Sequence, residues 1–463
     1  MPTVQAPIVR DLPDPPRNLW RIVGPGIVAA GVGLSSGEFI LWPFIASQVG
    51  LIFLWGAIVG VSTQLFLNME IERYTLATGE TALTGFNRVW KHWGLVLAIM
   101  VYCANLWPGW MLSSATMVTY LFGGGSAPVI ATIGLLFIGA ALTLAPIVYV
   151  ALERMIFVKV AAVILLVVLA IIFVITKDTW TALPASAAHS GFPGELGFAL
   201  LFGAIAYAGA GGGQNLCQSN WIRDKGFGMG RYIQKLVSPV TGVEETTLQP
   251  VSYIFKPDDA NMARWRRWWR FSNLEQTLTF FLVTVITIVF TSMLAHSTLF
   301  GRAGLPNNIG FLQIEGQRLM EIVAPWFGIL FWAIGAFSLF ATAMGIIDYT
   351  SRLAADVIKS TYLPTSHISE SRIYFFLVWG LVVVGCAVLL SGFAQPLALL
   401  ITSASVSGAM MCIYSALLIV INKHYLPKEI RVRSYRLGSL VWATILYGVL
   451  AALTIWQQLS KLK

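Results

Sequence analysis

Gly24-Pro25-Gly26 opens an apolar stretch that runs to Leu34, is interrupted by Ser35-Ser36-Gly37-Glu38, and resumes at Phe39. An apolar segment of this length crosses a bilayer as a helix. Two serines and a glycine at its middle weaken that helix, and the carboxylate just past them falls near the bilayer centre. An ionisable group at that depth is costly and marks a working site, here one that meets positive charge. A second apolar stretch is broken in the same way by Gly209-Ala210-Gly211-Gly212-Gly213-Gln214-Asn215. Two interrupted membrane helices in corresponding positions of two halves point to the binding site of a secondary transporter.

Composition agrees. Of 463 residues, 57% are hydrophobic and only 11% charged, against about 25% charged in soluble domains. The chain reads as an all-α polytopic membrane protein. Its net charge of +9 sits between apolar segments as a topology signal, so nucleic acid is not an expected partner; the lipid bilayer is. Cys103, Cys217, Cys386 and Cys412 fall inside apolar segments without a CxxC pair, which predicts neither a disulfide framework nor a zinc site. The histidines lie far apart with no HExxH, and no Gly-rich loop is followed by Lys-Ser or Lys-Thr. Neither a zinc protease nor an ATP-driven pump is indicated. No enzyme, no catalytic residues and no cofactor are expected.

Eleven spans are predicted, at 20–47, 51–72, 93–121, 127–147, 153–176, 195–220, 274–299, 323–347, 372–391, 395–421 and 437–458. The division is a tail at 1–19, a five-helix repeat at 20–176, an inverted five-helix repeat at 195–421, and an eleventh helix at 437–458. Five helices per half force the halves into opposite orientations. Arg73, Arg88, Arg154, Arg352 and the run from Lys423 to Arg436 fall on the side of Arg10, Arg17 and Arg21, whereas the other side has Lys177, Arg302 and Arg318, with Lys461 and Lys463 as a minor exception. This bias predicts a multi-pass protein of the inner (plasma) membrane, N-terminus cytoplasmic and C-terminus outside. The longest connection, 221–272, reads as a cytosolic loop whose Arg264-Trp265-Arg266-Arg267-Trp268-Trp269-Arg270 suits the membrane surface. Glu70, Glu72, Glu153 and Glu275 sit near span ends, where solvated or loop-paired roles are expected; Asp348 has the spacing to pair with Arg352.

Gly-Pro-Gly, eight residues and a four-residue break resemble the first helix of the Nramp family of divalent-metal transporters, which reads Asp-Pro-Gly-Asn at the break. The family's sixth-helix Met-Pro-His-Asn-Leu is matched by Gly212-Gly213-Gln214-Asn215-Leu216. Ala77-Thr78-Gly79, Leu152-Glu153 and the small polar run Ser403 to Ser407 also fit, and the likeness covers nearly the whole chain. The resemblance implies a LeuT-like fold, with helices 1 and 6 broken, working by alternating access. Its departures matter more. The family's metal-binding Asp falls on Ser35, its Asn on Glu38, its Met on Gly212, and its helix 6 histidines on Gln214 and Ser219. Its third-helix carboxylates and ninth-helix arginine pair are missing.

A site without sulfur or histidine suits transition metals poorly, so no transition-metal ligands are expected. Glu38, Ser35, Ser36, Gln214, Asn215 and carbonyls freed at the breaks are hard oxygen acceptors, with Gly37, Gly209 and Gly212 shaping the backbone. One carboxylate balances one ammonium or guanidinium, and amides and carbonyls accept its N–H groups. Phe39 and Tyr207 supply aromatic faces. Glycines in place of Met and Pro leave volume for a larger substrate. A small cationic substrate, an amine or guanidinium, is the favoured reading. A hard divalent ion, Mg²⁺ or less readily Mn²⁺ or Ca²⁺, is the alternative, and a proton is a candidate coupling ion. The plainer readings are helix packing for the glycines and helix capping for Ser35, Ser36 and Asn215.

Overall fold

The computed structural model describes residues 6–16, 24–145, 148–188, 191–233, 236, 252–392 and 395–460. Arg17, Arg21, Lys461 and Lys463 lie outside the described residues. Pro25 sits in the first turn of α1 (Pro25–Gly33), where its missing N–H costs nothing. The helix stops at Leu34, and a π-helical turn, Ser36–Leu41, leads into α2 (Trp42–Val49). Next come α3 (Leu54–Thr78), α4 (Ala82–Asn87), α5 (Trp93–Asn105), α6 (Gly109–Phe122), α7 (Ala127–Leu144), α8 (Val148–Phe173) and α9 (Lys177–Ala188). The sixth predicted span is split into α10 (Phe198–Ala206) and α11 (Gly212–Lys225). Beyond it are α12 (Asp259–Glu275), α13 (Val283–Leu299), α14 (Phe311–Ile322), α15 (Pro325–Val357), α16 (Glu370–Leu390), α17 (Pro396–His424) and α18 (Ser434–Ser460).

Ten helical stretches among the described residues are long and apolar enough to cross a membrane, which makes this a multi-pass membrane protein. The sixth of the eleven predicted spans is absent from that count because the break leaves α10 and α11 too short on their own. Burial orders the bundle. The apolar window of Pro25–Val49 is 94% buried, against 28% for Ala127–Leu144 and 22% for Ser434–Gln457. The broken first helix therefore runs through the centre, and α7 and α18 lie at the rim, where lipid covers apolar side chains.

The region 221–272 is not simply a loop. Asp258 accepts the N–H of Asn261 and caps α12, and no Gly or Pro follows until the helix continues into the seventh span. The Arg/Trp run is therefore helical. Its tryptophans face inward: Trp265 stacks near Phe255 and Trp268 packs on Phe227. The N-terminal segment docks on the same helix. Trp268 donates to the Pro13 carbonyl at 2.7 Å, the Leu12 N–H donates to Asn261 at 2.9 Å, and Arg267 pairs with Asp14. Ile8–Val9 (β1) and Tyr253–Ile254 (β2) complete the contact as a short parallel pair. Trp269 lies beneath the guanidinium groups of Arg73 and Arg436, 4.2 and 4.7 Å from its ring. The expected membrane-surface anchor is thus in large part a docking platform for the chain's own tail.

Candidate functional site

The Gly-Pro-Gly opening is held by a carboxylate. Glu275 Oε1 accepts the N–H groups of Gly24 and Gly26, at 3.3 and 2.9 Å, an anion on the positive end of α1. A Cβ on Gly26 would lie 2.5 Å from both Glu275 and Thr279. At the other end of α1, side chains from α15 reach carbonyls freed by the break, and one from α11 reaches a carbonyl within the helix. Thr342 donates to Val32 at 2.8 Å, Ser338 to Leu34 at 2.8 Å, and Gln214 to Ala29.

The break in helix 6 is fastened from α3. The amide oxygen of Gln64 accepts the N–H groups of Ala210 and Gly211, at 2.9 and 3.0 Å, and its nitrogen donates to the carbonyls of Ala206 and Ala208, at 3.0 and 2.9 Å. Gly209 and Gly211 sit at φ +112 and +80, backbone that favours glycine. The two breaks touch: a Cβ on Gly33 would strike the Gly209 carbonyl, and one on Gly37 the Tyr207 carbonyl.

Between the breaks lies a small cavity lined by Val32, Gly33, Ser36, Trp110, Tyr207, Gly209, Ala210, Gln214, Thr342, Ile346 and Tyr349. The phenol of Tyr207 shares a hydrogen bond with Ser403 at 2.8 Å. Of the residues expected at a site, Ser36, Gly209, Gln214 and Tyr207 meet here. Glu38 stands two residues behind Ser36, fully buried. Its Oε2 accepts the Ser35 N–H at 3.3 Å, and its backbone carbonyl accepts from Thr291 at 2.6 Å. Glu38 Oε1 and Ser35 Oγ have no hydrogen-bond partner among the described residues.

Other expectations are placed elsewhere. Asn215 turns toward α3 and donates to Asn68 at 2.6 Å. The volume expected at Gly212 is already filled, since a Cβ there would lie 2.6 Å from the Ser407 carbonyl and 2.7 Å from Met410. Those atoms bring α17 close, so this glycine serves helix packing. Phe39 stacks on Phe331 with ring centroids 5.2 Å apart and lines a separate cavity with Thr291 and Glu315. Glu70, Glu72 and Glu275 are buried, not solvated, because helices converge on the span ends. Glu70 pairs with Arg73 and Arg436, and Glu153 pairs with Lys225. The expected Asp348–Arg352 pair is present at 2.9 Å.

Three contributors went unread in the sequence. Gln64 gave a faint signal as an amide one helical turn before Asn68. Thr342 gave none. Lys159 had the clearest signal, a basic residue within the most apolar span, Leu152–Phe173, of mean hydropathy 3.2. It is fully buried, donates to Thr342 at 2.5 Å, and interacts electrostatically with Glu38.

No family model matches the sequence, and no curated protein matches it. Solved structures share its fold. A manganese transporter from Eremococcus coleocola, in complex with an aromatic bis-isothiourea substituted compound, superposes with a TM-score of 0.68 at 13% identity, covering 99% of this chain and 90% of that one. A mutant of that transporter gives 0.69 at 12% identity, covering 98% and 90%. A nucleobase-cation-symport-1 family transporter in a closed conformation gives 0.54 at 11% identity, covering 94% and 92%. The fold is therefore the LeuT-like one that the resemblance implied.

Proposed function

We propose that the chain is a secondary transporter that carries a small organic cation, an amine or guanidinium, across the bilayer by alternating access around its two helix breaks. The observation that carries this reading is Glu38, a fully buried carboxylate with one oxygen lacking a partner, two residues behind the cavity wall. A buried carboxylate in that state calls for positive charge or a proton. The cavity's side-chain donors and acceptors are the hydroxyls of Ser36 and Thr342, the Gln214 amide and the phenols of Tyr207 and Tyr349. These are hard oxygen groups suited to N–H donors, with the indole of Trp110 and the Tyr207 ring as cation-attracting faces. The segments 20–176 and 195–421 are the two halves that move against each other. The basic residues support a plasma-membrane orientation with the N-terminus in the cytoplasm and the C-terminus outside.

The test is uptake into proteoliposomes of radiolabelled guanidinium, which remains charged at every working pH, beside Mn²⁺, Mg²⁺ and Ca²⁺. Saturable guanidinium uptake that is lost in Glu38→Gln is the expected result. Metal uptake with no guanidinium uptake overturns the reading.

A further inference from the structure

Lys159 lies on α8, with no exposure to solvent. Its ammonium donates to the Thr342 hydroxyl at 2.5 Å, and that hydroxyl donates to the Val32 carbonyl at 2.8 Å, one residue before the contact between the two breaks. Thr342 thereby ties the end of α1 to α15, and Lys159 holds that hydroxyl from α8. The helices packed against α8 are α1, α13 and α15. α1 carries no ionisable side chain. On α13, His296 shares a hydrogen bond with Thr179. On α15, Asp348 pairs with Arg352, Asp356 with Arg223, and the Tyr349 hydroxyl accepts from Asn105. Glu38, on the turn after α1, is the charge that acts on Lys159, and no ion-pair contact within 4.0 Å joins them.

We propose that Lys159 is the chain's resident coupling cation: its protonated amine balances Glu38 and holds from α8 the Thr342 hydroxyl that ties the helix 1 break to α15, and loss of its proton frees Glu38 to take the transported cation. The inference rests on the reading of Glu38 as the substrate's counter-ion. With Lys159 protonated and Glu38 ionised the pair is neutral, and a further cation would leave uncompensated positive charge in a low-dielectric interior. When the Nζ–H bond breaks, its electron pair stays on nitrogen and the proton goes to water on the side to which the site is open. The site can then hold one monovalent cation at neutrality. One cation entering for one proton leaving is electroneutral exchange.

Two measurements test this. In proteoliposomes, an inside-acid gradient should drive guanidinium accumulation in the wild type by about tenfold per pH unit, with no response to membrane voltage. Lys159→Met should keep uptake, lose the response to the pH gradient and follow voltage instead. Lys159→Arg, which stays charged, should take up no guanidinium. Gradient-driven accumulation that survives in Lys159→Met overturns the proposal. Hydrogen exchange over residues 24–41, corrected for the intrinsic pH dependence, reads the tie without any substrate. Protection should fall as pH rises in the wild type and persist at every pH in Lys159→Arg; the same profile in both overturns the proposal. If the wild type takes up no guanidinium while this exchange profile holds, the substrate reading has failed and the lysine tie has not.

Discussion

Glu38 and Glu315 are both buried carboxyls, and the difference in their surroundings sets what each does. Glu38 has a backbone donor and a nearby lysine, whereas Glu315, on α14 between membrane spans, faces Phe39, Phe290 and Phe331 across its cavity. Its Oε2 has no hydrogen-bond partner among the described residues. Burial pushes the Glu315 carboxyl up from 4.5 to about 8. Between those values the native state holds a proton that the unfolded chain has released, so its contribution to stability falls as pH rises from 4.5 to about 8 and levels off above. Glu315→Gln escapes that loss, and its melting temperature in detergent should gain on the wild type across this window. A difference that stays constant with pH contradicts the assignment. At this scale the sequence was legible where chemistry was conspicuous: a carboxylate in an apolar run announces itself. The surroundings of Asn215 and Gly212 were not legible because their neighbours, Asn68 and Ser407, come from helices distant in sequence.

At the scale of the element, a broken membrane helix exposes backbone groups that lipid cannot satisfy, so every break needs a fastener. Gln64 is that fastener for helix 6. Gln64→Leu keeps the volume and orphans two N–H groups and two carbonyls, each costing about 1–3 kcal/mol. A markedly lower melting temperature and faster hydrogen exchange over 206–211 are expected; a melting temperature equal to wild type would show that the break holds itself. Gly33→Ala tests the contact between the breaks, because its methyl group meets backbone at Gly209 and not a movable side chain. It should abolish uptake even where the protein still reaches the membrane, and normal uptake would mean that the breaks can separate freely. Both breaks were legible in glycine spacing, a local property of the chain. The extension of the seventh span back to Asp259 was hidden because its arginines look like loop residues until the N-terminal segment packs against them.

Across the whole molecule, charge gathers at one end of the bundle. Arg352 reaches Asp348 and Asp224, and Arg223 reaches Asp356 and Glu370. These groups fasten α11, α15 and α16 together on the side proposed to be cytosolic. Arg352→Met takes the guanidinium from buried Asp348 and leaves Asp224 with Arg223 alone, a loss of about 3–5 kcal/mol, and should lower the melting temperature by far more than the exposed control Arg302→Met. Equal effects would remove the network from the account. The multi-pass character was legible because hydropathy follows the bilayer directly; the ion network was not, because it joins residues far apart in the chain. The claim that binds these scales is that the meeting point of two broken helices serves one buried carboxylate and a monovalent organic cation. Guanidinium uptake by wild type and Glu38→Gln, with Mn²⁺ as competitor, tests it most directly. The account predicts saturable uptake in the wild type, none in the variant and no competition by Mn²⁺; Mn²⁺ uptake that survives in Glu38→Gln would contradict it.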